Sequence, residues 1–116
     1  MCNNSRILSR TKNGELSICK GCKAYSLIYN NILLQFNKKE FNNFKEYIIN
    51  INVDYWLDFY EQTTQKRKIP IPTKHRKLFM FFTENELNEL KEILLINTNI
   101  KRNLFASDIN YPLILN

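Results

Sequence analysis

Two stretches of the same pattern decide the fold: LLQFNKKEFNNFKEYII at residues 33–49 and FMFFTENELNELKEILL at residues 79–95. They align at an offset of 46 positions, with a shared Lys-Glu pair and apolar residues at matching places. Each begins with an apolar run typical of a strand and continues with apolar residues at helical spacing. The sequence therefore predicts an internal repeat in which a strand leads into a helix.

The junction between strand and helix carries a capping signal in both copies. Asn37 and Thr83 offer a side-chain oxygen to the first turn of the helix, and Glu40 and Glu86 follow three residues later. This spacing is the capping box, in which the two side chains satisfy backbone N–H groups reciprocally. Because no Pro or Gly follows at once, we expect the first helix to continue to about Gln62.

A second extended segment precedes each of these strands, so the repeating unit is strand-strand-helix. The stretch KAYSLIYNNILLQF predicts a hairpin that turns at Asn30-Asn31. In the second copy, Pro70 and Pro72 cannot donate to a ladder, which predicts an edge strand with these positions facing outward. The two repeats span residues 24–62 and 68–98.

A separate hairpin at residues 6–20 opens the chain, with RILSRT and ELSICK joined through Asn13-Gly14. A two-residue turn there would place Cys19 opposite Leu8. The closing segment, residues 104–116, ends in an apolar run, and we expect it to dock on the sheet as a last strand. Residues 1–116 thus predict one α+β domain, an antiparallel sheet with two main helices on one face.

The length and composition indicate a globular, cytoplasmic protein with no membrane partner. The chain has 116 residues, and no apolar run approaches the roughly 20 residues needed to cross a bilayer. Three cysteines are an odd number, which argues against a disulfide framework and favours reduced thiols or metal ligands.

The positive charge is concentrated in one segment. The chain has a net charge of +6, and KRKIPIPTKHRK at residues 66–77 holds six cations and no acid. Such a run predicts salt-sensitive binding to nucleic acid or a nucleoprotein complex. The alternative is a solvated edge strand that its charge protects from aggregation. The candidate phosphate-binding residues are Lys66, Arg67, Lys68, Lys74, Arg76 and Lys77.

The motif CKGC at residues 19–22 has three interpretations. Cys19 and Cys22 could be half of a structural zinc site that Cys2 and His75 complete, since a closed site needs four ligands. They could form a redox pair, although their place between two strands lacks the helix N-terminus that lowers a thiol pKa. They could also be two small residues in a tight turn without chemistry.

An aromatic cluster lies in the last part of the first predicted helix, at Tyr55, Trp56, Phe59 and Tyr60. Trp56 and Tyr60 continue the apolar face of the helix, whereas Tyr55 and Phe59 lie elsewhere on its surface. Because helical spacing accounts for half of the cluster, packing in the core or in a homodimer is favoured, and the alternative is a platform on which nucleic-acid bases stack. Catalysis is not indicated. The chain has one histidine, two glycines placed in turns, and no nucleophile beside a base, so a non-enzymatic protein is predicted.

Several of these motifs occur together in one known family. The chain resembles a family of small uncharacterised single-domain proteins of Bacteroidetes bacteria. The motifs that carry this resemblance are the N-terminal MC, the Cys19 and Cys22 pair, EFNNFKEYI, VDYW, KRKIPIPT and DINYPLILN. The resemblance implies a bacterial one-domain protein and transfers no site residue. The leading hypothesis is a small basic binding module that contacts nucleic acid. The alternatives are a protein-interaction or homodimerisation module and a thiol-redox protein.

Overall fold

The structure, a computed structural model, describes residues 5–95, so the segment 104–116 lies outside the described residues. The predicted α+β class is confirmed. The elements in chain order are β1 (Ser5–Arg10), β2 (Gly14–Cys19), β3 (Tyr25–Tyr29), β4 (Ile32–Phe36), α1 (Lys38–Asn50), α2 (Val53–Phe59), β5 (Ile69–Pro72), β6 (Phe79–Phe82) and α3 (Glu84–Leu95).

The strands form two antiparallel sheets. The first has the order β1-β2-β3-β4, and the second contains β5 and β6 alone among the described residues. The sequence predicted a single sheet, so the second repeat departs from that prediction. Pro70 and Pro72 occupy two of the four positions of β5 and supply no N–H for a further ladder. Pro70 is nevertheless buried, and only Pro72 faces outward as predicted.

The loop between β1 and β2 is longer than the predicted two-residue turn. It spans residues 11–13, and the Thr11 N–H donates to the Gly14 carbonyl at 2.9 Å. The two-residue turn at Asn13-Gly14 is wrong, because Gly14 is already paired in β2 and Asn13 donates hydrogen bonds to Glu89 on α3.

A β-bulge in β1 shifts the register further. The pairing with β2 is irregular between Ile7 and Ser9, and both Leu8 and Ser9 are buried there. One extra residue on a strand produces this pattern. Cys19 consequently lies opposite Ser5 and not opposite Leu8.

The first repeat helix ends earlier than the sequence predicted. Ile51 is extended, with φ −66° and ψ 137°, and ends α1, so that Ile51 and Asn52 separate α1 from α2. The side chain of Asn52 then accepts a hydrogen bond from the Tyr55 N–H at 3.1 Å and caps a new helix. A single helix to Gln62 is therefore wrong, because an N-cap at Asn52 stabilises a second helix start.

Both predicted capping boxes are present. The Glu40 N–H donates to Asn37 Oδ1 at 2.7 Å, and the Asn37 N–H donates to Glu40 Oε1 at 2.9 Å. In the second repeat, the Glu86 N–H donates to Thr83 Oγ1 at 3.1 Å and the Thr83 N–H to Glu86 Oε1 at 2.8 Å. Equivalent residues thus begin α1 and α3 by the same mechanism.

The core lies between one face of the four-stranded sheet and the two longer helices. Tyr25 of β3 stacks on Phe41 of α1 with ring centroids 4.3 Å apart, and Leu16 and Leu27 are buried on the same face. Helix α3 contributes four buried residues, Leu87, Leu90, Ile93 and Leu94. No helix within residues 5–95 is long and apolar enough to span a membrane.

Candidate functional site

The cysteine motif forms a tight turn between β2 and β3. Cys19 is buried at the end of β2, and Cys22 is exposed. The Lys23 N–H donates to the Cys19 carbonyl at 2.8 Å, and the Cys22 N–H donates to Cys19 Sγ at 3.3 Å. The turn thus directs a backbone donor at sulfur, which is an arrangement that also suits a thiolate.

The two cysteines differ in oxidation state. Cys19 is disulfide-bonded, whereas Cys22 is a free thiol. The expectation of reduced thiols is therefore wrong for Cys19. Zinc is bound by thiolates, so Cys19 would have to be reduced before it could act as a ligand.

The remaining predicted zinc ligands belong to another loop or lie outside the described residues. Cys2 is outside them, and His75 lies exposed in the loop between β5 and β6. Within residues 5–95, no group of three or more His, Cys, Asp or Glu side chains could hold a metal ion. The site of Cys2, Cys19, Cys22 and His75 therefore stays a prediction.

Two of the six predicted phosphate-binding cations are held by the fold. Arg67 forms a two-pronged ion pair with Glu86, with a shortest N–O distance of 2.7 Å, and this bond lowers the pKa of Glu86. Lys68 Nζ donates to the carbonyls of Tyr60 and Thr63 at 2.9 and 3.0 Å, at the C-terminus of α2. A cation there is favoured by the helix dipole.

The other four cations of the segment differ in how they are used. Lys74 pairs with Glu40 of α1 at 3.1 Å. Lys66, Arg76 and Lys77 are exposed and form no ion pair within the part of the chain that the structure describes. Three of the six predicted phosphate-binding residues thus form ion pairs or hydrogen bonds within the protein. Phosphate binding by the other three stays a prediction.

The aromatic cluster forms a layered patch on α2, called here the α2 aromatic face and comprising Tyr55, Trp56, Phe59 and Tyr60. Tyr55 and Phe59 are 53% and 60% exposed, and their rings stack at 6.0 Å. Trp56 meets both edge-on, at 4.9 and 5.6 Å. Tyr60 packs on Phe81 of β6 at 5.4 Å, which anchors the patch to the second sheet.

The charged side chains of the segment that carries the α2 aromatic face are negative, whereas Lys68, which follows that segment, is held by the carbonyls of Tyr60 and Thr63. Residues 53–62 contain Asp54, Asp58 and Glu61 and no Lys or Arg, and all three acids are exposed. Asp54 and Asp58 form a row next to the row of Tyr55 and Phe59, because residues four apart share a side of a helix. These carboxylates repel phosphate, which disfavours the interpretation of the cluster as a base-stacking platform.

A groove separates the two sheets. It lies between β4, α1 and the loop of residues 73–78, has a volume of about 470 Å³, and is called here the α1 groove. Phe36, Phe44 and Leu78 contribute to its mainly apolar wall, and the ion-paired Lys74 and Glu40 also line it. This groove could not be predicted from the sequence, because its walls come from three separate elements.

Glu89 of α3 is a further residue that sequence reasoning missed. Its carboxylate accepts hydrogen bonds from Thr11 Oγ1, the N–H and side-chain amide of Asn13, and the Tyr29 hydroxyl, at 2.6 to 3.0 Å. Burial raises the pKa of Glu89, but these bonds lower it by more. Burial and the bond to Glu89 raise the pKa of Tyr29. The cluster fixes the first hairpin to α3.

Comparison with known proteins gives a family and no activity. No curated protein and no solved structure matches the chain. A family of unknown function, DUF6686, matches it over residues 1–116, in agreement with the resemblance to an uncharacterised family. The chain therefore belongs to the DUF6686 family.

Proposed function

We propose that this protein is a non-enzymatic interaction module that binds a basic segment of a partner protein through the α2 aromatic face. The observation that supports this proposal is the exposure of Tyr55 and Phe59 beside a row of carboxylates. Exposed aromatic side chains with a polar rim are typical of the residues that dominate binding energy in protein interfaces.

The charge pattern favours a basic partner over nucleic acid and over a second copy. Phosphates would approach Asp54, Asp58 and Glu61 with like charge. A two-fold dimer through this face would bring two sets of these carboxylates together, since such a contact uses the same patch on both copies. A lysine- or arginine-rich segment would bring positive charge to these carboxylates, so neither repulsion would arise.

The geometry indicates how such a segment would bind. An apolar side chain of the partner would cover the stacked rings of Tyr55 and Phe59, which are exposed at present. An adjacent arginine or lysine would pair with Asp54 or Asp58 and could lie over an aromatic ring, where the ring face attracts a cation.

Selection from a random peptide library, followed by titration of a selected peptide, tests the proposal. We expect selected peptides to combine lysine or arginine with apolar residues and to bind more weakly as salt rises. The double variant Tyr55→Ala, Phe59→Ala should lose at least about tenfold in affinity, because both rings form the centre of the contact.

The control is Ile28→Ala, which removes another exposed apolar side chain, 39% exposed, from the four-stranded sheet. It should leave the affinity within about twofold. Selected peptides without a basic bias, or equal losses in the control and the double variant, would refute the α2 aromatic face as the binding surface.

Nucleic-acid binding is a second candidate, supported by the exposure of Lys66, Arg76 and Lys77 without an ion pair inside residues 5–95. If these three cations contact single-stranded RNA, a plot of the logarithm of the binding constant against the logarithm of the salt concentration should have a slope of about −2. Titration of short RNA and DNA at several salt concentrations measures this slope. If neither nucleic acid binds at low salt, this candidate is rejected. We further propose that the protein acts in the bacterial cytoplasm, as the sequence predicts.

A further inference from the structure

We propose that the α1 groove binds an amphipathic carboxylate, with the hydrocarbon on the apolar wall and the carboxylate beside Lys74. This inference goes beyond the proposed function, because it concerns a different surface and a small ligand. Three features support it: the dimensions of the groove, the composition of its wall, and the charges at one end.

Two contacts between α1 and the second hairpin bound the groove. Lys74 Nζ lies 3.1 Å from Glu40 Oε2, and the Tyr47 hydroxyl donates to the Pro70 carbonyl at 3.4 Å. Glu40 and Tyr47 are seven residues apart on α1, which corresponds to about 10 Å along the helix. The volume of about 470 Å³ lies within the range typical of small-molecule sites.

The wall between these contacts is suited to a hydrocarbon chain. Phe36 and Phe44 form tilted ring contacts at 4.9 Å, and Leu78 on the opposite side is 57% exposed. An apolar side chain that remains this exposed gains from being covered by another apolar group. An alkyl chain lying along α1 would cover it.

The charge at one end favours a single negative charge on the ligand. Lys74 and its ion-pair partner Glu40 both line the groove. Arg76 and Lys77 follow in the same loop without lining the groove, so the loop of residues 73–78 carries three cations and no acid. His75 Nδ1 accepts a hydrogen bond from the Lys77 N–H at 3.2 Å, which places the proton of the neutral ring on Nε2 as a donor. An ammonium and this N–H are together suited to a carboxylate.

Displacement of the fluorescent probe 1-anilinonaphthalene-8-sulfonate by alkyl compounds of equal chain length tests the inference. We expect dodecanoate to displace the probe saturably below its micelle concentration. Dodecanol and dodecylammonium should compete at least tenfold more weakly, because neither carries the negative charge. Dodecyl phosphate serves as the comparison for a second anionic head group.

Variants locate the site. Lys74→Glu should weaken dodecanoate at least tenfold, whereas Lys66→Glu makes the same charge change elsewhere in the basic segment and should have less than a twofold effect. Leu78→Ser should weaken dodecanoate and dodecanol alike. Tyr55→Ala, Phe59→Ala should bind dodecanoate normally, so this test is independent of the proposed peptide site. Thermal denaturation checks that each variant is folded. If Lys74→Glu does not fold, Lys74→Gln is tested in its place.

Four results would overturn the inference. They are the absence of saturable displacement, equal competition by dodecanol and dodecanoate, equal effects of Lys74→Glu and Lys66→Glu, and tighter binding of dodecyl phosphate than of dodecanoate. The first would reject the site, the second and third the role of Lys74, and the last the carboxylate as the preferred head group.

Discussion

Replacing Gly14 with alanine is expected to destabilise the protein by about 3 kcal/mol, since the added methyl group overpacks the core. A Cβ at this position would lie 2.7 Å from Ile93 Cδ1, 2.8 Å from the Ile28 carbonyl oxygen and 2.9 Å from Tyr29 Cδ1. Ile93 is fully buried and the Ile28 oxygen belongs to the adjacent strand, so neither can move without disturbing the sheet or α3. Urea denaturation should show a lower midpoint with an unchanged slope.

Gly21→Ala is the matched control, because the chain has two glycines and neither has a positive φ. A Cβ at Gly21 would meet only Cys19 Sγ at 3.9 Å, an ordinary contact. We expect the stability of this variant to stay within about 0.5 kcal/mol of wild type. Equal midpoints for the two variants would show that the close approach at Gly14 does not constrain the fold.

Glu89→Gln is expected to destabilise the protein by about 2 kcal/mol at neutral pH. Each carboxylate oxygen of Glu89 accepts two hydrogen bonds, which come from Thr11, Asn13 and Tyr29. Glutamine replaces one oxygen with a donor, so two bonds to a charged acceptor are lost and donors then face one another. Chemical denaturation at pH 7 measures this difference.

The same variant should also change the response to acid. The folded-state pKa of Glu89 is below its ordinary value of 4.5, so its stabilising effect is present above that pH and is lost as the pH falls through the folded-state pKa. The difference in stability between wild type and Glu89→Gln should therefore narrow from pH 6 to pH 3. Glu40 and Glu86 also have lowered pKa values, so both proteins should lose stability in acid.

Glu92→Gln provides the comparison on the same helix, at an exposed position. This substitution should change the stability of the protein little, both at pH 7 and in acid. Two results would contradict the assignment of Glu89 as the group that fixes the first hairpin to α3. One is a loss of stability from Glu89→Gln at pH 7 that is no larger than the loss from Glu92→Gln. The other is a loss of stability from Glu89→Gln that stays constant from pH 6 to pH 3.

The parts of the fold that depend on local chemistry could be predicted from the sequence. Both capping boxes depend on residues three positions apart, and the structure has both. The α+β class follows from the periodicity of the two repeats. The end of α1 is not marked by Pro or Gly, and the signal that the sequence does carry there is the capping ability of Asn52.

The parts that depend on distant residues could not be predicted. Gly14 resembled a turn glycine, but it is needed because Ile93, nearly 80 positions away, packs against it. The bulge at Leu8 carried no local signal and shifted Cys19 to lie opposite Ser5. Such features arise only when several elements pack together.

The candidate sites divide in the same way. The aromatic cluster and the basic segment were recognised from composition, but their roles depend on contacts that composition does not contain. Arg67 and Lys74 are paired with acids from other elements, which the sequence did not indicate. Tyr55 and Phe59 are exposed, as their positions off the apolar face of the helix predict. The α1 groove carried no sequence signal.

The emission of Trp56 during titration with a selected basic peptide tests the central claim most directly. Trp56 is the single tryptophan of the chain and contacts both Tyr55 and Phe59. We expect a saturable change in its emission that gives the same affinity as an independent binding measurement, and that is lost in the double variant Tyr55→Ala, Phe59→Ala. Saturable peptide binding that leaves Trp56 emission unchanged would show that the peptide binds elsewhere, and would contradict the α2 aromatic face as the recognition surface.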